Sequence, residues 1–123
     1  MGKEILVWER YPSMLRFIQT FLEKEGYGVL SASTKEEAVE ILRQKKVDAI
    51  ILDCYPRMNW EETARKLRSL PGTTEETPFL LMTTSHNPAD RSKLRLLGSV
   101  LEKPFNIEDL LTEVRKMVGE PTS

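Results

Sequence analysis

A chain of 123 residues, 40% of them hydrophobic, has the size and mix of one compact domain that buries roughly two-thirds of its unfolded surface. Its 18 basic and 19 acidic side chains nearly cancel, leaving a formal charge of −1 and excluding a general electrostatic pull toward nucleic acid or anionic membrane. The single Cys54 excludes an intramolecular disulfide framework, and one cysteine with one histidine, His86, argues against a Cys/His zinc cage.

In chain order, short apolar runs alternate with helical stripes. Residues 1–5 lack the apolar core and small-residue cleavage site of a secretory leader, and Leu6 stands where a myristoylation motif wants Ser or Thr. Strands are predicted near 4–8, 27–32, 47–53, 78–83 and 99–102. After Pro12, the residues Met14, Leu15, Ile18, Phe21 and Leu22 recur at helical spacing. A capping box of Thr34 with Glu37 opens a second helix carrying Ala38, Ile41 and Leu42. Residues 61–70 place Ala64, Leu67 and Leu70 on one stripe. Asn87-Pro88 opens a fourth helix, with Leu94 and Leu97, that Gly98 can end, and Asn106 caps a fifth with Leu110, Leu111 and Val114. Five β-α units result, the pattern of helices around a parallel sheet. No repeat, linker, membrane-length apolar run or extra DNA-recognition helix stands outside them.

The polar residues that end four of the strands carry the functional signal. Asp53 closes the run Ala49-Ile50-Ile51-Leu52, Glu9-Arg10 follow Trp8, Thr83-Thr84 follow Met82, and Lys103-Pro104-Phe105 follow Leu101-Glu102. In an open parallel sheet the carboxyl ends of the strands form the ligand crevice, so these four ends define one candidate pocket.

Taken together, Lys3-Glu4-Ile5-Leu6-Val7 leading to an acid, Gly26-Tyr27, Ile51-Leu52-Asp53, Pro78, Thr83 and Lys103-Pro104-Phe105 resemble the receiver domain of two-component response regulators over nearly the whole chain. The resemblance implies an α/β fold: a doubly wound, flavodoxin-like five-stranded parallel sheet of order 2-1-3-4-5 with helices on both faces. It implies a single receiver domain over 1–123, with 119–123 a tail or the start of a linker. It further implies a cytoplasmic phosphorelay protein, not an enzyme acting on a free substrate. Asp53 would take a phosphoryl group from a histidine kinase or phosphotransfer protein, and output would pass to a downstream protein or effector domain through the fourth helix, fifth strand and fifth helix. Neither nucleic acid nor membrane is expected as a direct partner, and a homodimer is allowed.

The same resemblance assigns roles to individual residues. Lys103 would pair with the phosphoryl oxygens, Thr83 would hydrogen-bond the phosphate and report its presence, and Glu9 with Asp53 would help hold Mg²⁺. At the second acidic position stands Arg10. Three carboxylates and one lysine leave about −2, which a divalent ion neutralises; here Glu9 and Asp53 are already balanced by Arg10 and Lys103. The expectation is weak or absent Mg²⁺ binding, with Arg10 either pairing bidentately with a carboxylate or swinging onto an incoming phosphoryl group. The loop after Asp53 also departs from the pattern, with Pro56 one position early and Trp60 near the usual glycine, and Val100 stands where an aromatic switch residue is common.

Plainer readings stand beside these. Asp53 could cap a turn, Thr83 could reflect strand propensity, Arg10 could face solvent, and Arg91, Lys93 and Arg95 read as a solvated face. Cys54 reads as a small buried residue and His86 as a loop residue. The alternative function is a degenerate receiver that docks partners independently of phosphorylation. A haloacid dehalogenase-type phosphatase is disfavoured, because that chemistry wants a second Asp where Tyr55 stands.

Overall fold

The computed structural model describes residues 2–122, so Met1 and Ser123, the two ends of the expected 1–123 domain, lie outside the described residues. Five strands, β1 (Glu4–Trp8), β2 (Gly28–Ala32), β3 (Ala49–Asp53), β4 (Phe79–Thr83) and β5 (Ser99–Glu102), alternate with helices α1 (Pro12–Lys24), α2 (Lys35–Gln44), α3 (Trp60–Arg68), α4 (Pro88–Leu97) and α5 (Ile107–Val118). All pair in parallel in the order β2-β1-β3-β4-β5, the order expected from the sequence.

Both faces of the sheet are covered, which is why its central strands are apolar runs without polar alternation. Successive side chains still point to opposite faces. Leu6, Trp8, Ile50, Leu52, Phe79 and Leu81 pack with Ala38 and Leu42 of α2, Ala64 and Leu67 of α3 and Leu94 of α4. Ile5, Val7, Ile51, Leu80 and Met82 pack with Ile18 and Leu22 of α1 and Leu110 and Val114 of α5. Side-chain caps start four of the helices: Thr34 and Glu37 form the anticipated capping box of α2, while Asn59, Asn87 and Asn106 accept backbone N–H groups at the starts of α3, α4 and α5.

The boundaries shift where backbone groups find partners outside the expected ladder or helix. Tyr27, Val47, Asp48 and Pro78, expected in strands, lie outside them. The N–H of Tyr27 is taken by Leu22 O and that of Val47 by Gly72 O, so neither joins the ladder through it. Leu70 falls beyond α3, whose last turn closes at Ser69 through bonds to Arg65, Lys66 and Leu67 carbonyls, whereas Trp60 forms its first turn.

Register places the site. Trp8 lies opposite Leu52, Asp53 opposite Met82, and Thr83 opposite Glu102. One residue further on each strand, Glu9 and Lys103 therefore reach the level of Asp53 and Thr83, where the chain order reverses between β1 and β3.

Candidate functional site

At the carboxyl ends of these strands four charged side chains meet. Lys103 Nζ lies 2.5 Å from Glu9 Oε1 and 3.1 Å from Asp53 Oδ1, bridging the two carboxylates. Glu9 is fully buried, and its other oxygen, Oε2, accepts the Tyr11 backbone N–H at 3.0 Å. Burial pushes the Glu9 carboxyl above its ordinary value, with the Asp53 charge adding to the rise, while the bonds from Lys103 and Tyr11 pull the other way.

Arg10 approaches Asp53 from the outside. Its Nε is 3.5 Å from Asp53 Oδ2, a single contact rather than the bidentate pair anticipated from the sequence. That oxygen is buried and has no hydrogen-bond partner among the described residues. Arg10 is half-exposed, and its guanidinium carbon lies 4.8 Å from the centroid of the Tyr11 ring and 4.5 Å from that of Tyr55. It is neither free in solvent nor locked in a bridge.

Thr83 is buried, and its Oγ1 accepts the Ser85 backbone N–H at 3.0 Å, leaving the hydroxyl proton to donate elsewhere. The loop beyond is tied outward: Ser85 Oγ donates to Asp90, and Arg91 donates to Ser85 O and, at 2.6 Å, to Glu102. Arg91 therefore does not belong to the solvated face read from the sequence, whereas Lys93 and Arg95 are exposed. His86 is an exposed loop residue 3.6 Å from the same Glu102 carboxylate. Cys54 is buried, and desolvation pushes its thiol up to about 12, with the Asp53 charge contributing. The Lys103-Pro104 bond is cis.

The donor set does not suit a hard divalent cation, which demands several available oxygens. Both Glu9 oxygens and Asp53 Oδ1 are engaged, the Tyr55 carbonyl accepts the Trp60 indole N–H at 3.1 Å, and the remaining Asp53 oxygen faces a guanidinium. Among the described residues no group of three or more His, Cys, Asp or Glu side chains is placed to hold a metal ion. The sequence reading missed the two tyrosines flanking Arg10 and the Ser85–Arg91–Glu102 network. Their one sequence signal was an aromatic residue directly after Arg10 and another two positions after Asp53.

Comparison with known proteins agrees with this fold. Residues 5–115 match the family model described as the response regulator receiver domain. Response regulator MprA of Mycolicibacterium vanbaalenii is 30% identical over 125 residues, a match covering 99% of this chain and 53% of that protein. The alkaline phosphatase synthesis transcriptional regulatory protein PhoP of Bacillus subtilis is 30% identical over 121 residues, covering 96% and 49%. The chain thus spans about half the length of the curated relatives it matches. Among solved structures, Vibrio cholerae chemotaxis protein CheY4 superposes with a TM-score of 0.83 at 27% identity, covering 95% of this chain and 99% of that one. The receiver domain of a sensor histidine kinase from Pseudomonas aeruginosa, solved with magnesium coordinated in its active site cleft, gives 0.78 at 27% identity, covering 97% and 99%.

Proposed function

This chain belongs to the response regulator receiver domain family, and from that premise we propose that it accepts a phosphoryl group on Asp53 within a two-component phosphorelay. The observation that carries the reading is the state of the Asp53 carboxylate. One oxygen is held by Lys103, while the other is buried and without a hydrogen bond, facing the Arg10 guanidinium at 3.5 Å, so no hydrogen-bond donor has to leave before it attacks. A buried carboxylate oxygen without a hydrogen bond is costly to keep, so its retention at a strand end points to use.

In this reading Lys103 neutralises the incoming phosphoryl oxygens, since phosphoryl transfer depends mainly on positioning and charge stabilisation. Thr83 donates its free hydroxyl proton to the phosphate and so draws on Ser85, which connects the pocket to α4 through Arg91 and to β5 through Glu102. Mg²⁺ binds weakly or not at all, because Arg10 holds the place of the second acid. The donor is a histidine kinase or phosphotransfer protein, and the output partner, a downstream protein or effector domain, meets α4, β5 and α5. A cytoplasmic location belongs to the same proposal; no helix among the described residues is long and apolar enough to cross a membrane.

Intact mass after incubation with acetyl phosphate and Mg²⁺ tests the acceptor. One phosphoryl adduct on the wild type and none on Asp53→Asn supports the reading; no adduct on the wild type, even with its kinase, refutes it. A second reading, a receiver that docks partners in one fixed state, is favoured by the Arg10 contact to Asp53 and by the full engagement of Glu9, and that negative result would select it.

A further inference from the structure

The Arg10 guanidinium lies over two rings, Tyr11 and Tyr55, that come from parts of the chain distant in sequence. Tyr11 is fixed by its backbone bond to the buried Glu9, and Tyr55 by the bond from Trp60, itself buried at the start of α3. With ring centroids 4.8 and 4.5 Å from the guanidinium carbon, both rings lie within the range in which an aromatic face attracts a cation. A planar, always charged group is thereby positioned at the mouth of the pocket, over the one Asp53 oxygen without a hydrogen bond.

We propose that Tyr11 and Tyr55 form an aromatic clamp that positions Arg10 as a built-in replacement for the divalent ion, so that Asp53 is phosphorylated without metal. The inference rests on Asp53 being the phosphoacceptor. Asp53 Oδ2 attacks phosphorus, the new O–P bond forms as the bond to the leaving group breaks, and the leaving group departs with that electron pair. With acetyl phosphate the products are the aspartyl phosphate dianion and acetate, and no proton or oxidant is required. Arg10 and Lys103, approaching the two Asp53 oxygens from different strand ends, would bracket the charge of the transferring group. Tyr55 is a positioning residue: it touches Arg10, not the reacting atoms.

The experiment is the rate of adduct formation from acetyl phosphate, by intact mass, with Mg²⁺ and with chelator, on the full chain. The wild-type rate is expected to be the same in both. In chelator, Arg10→Gln should slow it by about 10²-fold. Tyr55→Leu should slow it by about fivefold, with Tyr55→Phe restoring it, since the ring and not the hydroxyl makes the contact. A wild-type rate that requires Mg²⁺ overturns the inference and leaves the acceptor reading intact, as does equal rate in Arg10→Gln. No adduct under either condition, with the cognate kinase supplied, overturns both.

Discussion

Arg10 Nε stands 3.5 Å from Asp53 Oδ2, joining the second residue beyond β1 to the last residue of β3 across the point where strand order reverses. Where a receiver pocket usually collects negative charge for a metal, this one is locally neutral, with two acids, Glu9 and Asp53, facing two bases, Arg10 and Lys103. The consequences are measurable.

Lys103 is the one base of the site that contacts both Glu9 and Asp53 among the described residues. Its removal leaves Glu9, fully buried, with an uncompensated charge. Lys103→Met should cost about 3–5 kcal/mol at neutral pH, read from denaturant unfolding. The double variant with Glu9→Gln should recover much of that loss, because no buried charge then remains unpaired at position 9.

Glu9 also sets a pH dependence. Its carboxyl is raised above 4.5 chiefly by burial. A folded-state value above the unfolded one means that the stabilising contribution is complete below about pH 4.5 and is lost as pH rises through the higher, folded value. The stability of Glu9→Gln relative to wild type should therefore rise as pH increases across that window, measured by chemical denaturation at each pH. A flat difference curve would contradict the account.

These expectations divide by how far the sequence could carry them. The pocket was legible because each of its residues ends a strand or follows one within two positions: Asp53 closes an apolar run and Lys103 precedes a proline, both local signals. The Thr34–Glu37 box was legible for the same reason. The strand starts at Val47 and Pro78 were not, since the Val47 N–H bonds to Gly72 O, in a different loop. Arg91 shares a helix with exposed Lys93 and Arg95, and nothing in the charge pattern of α4 reveals that its partner is Glu102 on β5. The Tyr11–Arg10–Tyr55 stack likewise joins two loops with no common period.

The Arg91–Glu102 contact makes the loop after β4 an ordered strap. Arg91→Ala should cost no more than about 1 kcal/mol, because Glu102 is 41% exposed and screened by solvent. Amide exchange at Ser85 and His86 should nevertheless accelerate, since Ser85 loses the bond to its carbonyl. Unchanged exchange there would show that the strap does not hold the loop.

Cys54 adjoins the proposed acceptor but should be inert. With the thiol buried and pushed up to about 12, little thiolate exists at neutral pH, so alkylation by iodoacetamide should occur only after unfolding. Rapid modification of the folded protein would contradict the packing of β3 against α3.

The central claim, that a guanidinium has taken the place of the ion, is tested most directly by titrating Mg²⁺ into the wild type and Arg10→Asp while following the amides of Glu9, Asp53 and Tyr55 and the Trp60 indole N–H by NMR. The account predicts saturable shifts at these groups only in Arg10→Asp, where a third carboxylate is restored and the clamp has lost its cation. Saturable shifts at the same groups in the wild type would contradict it.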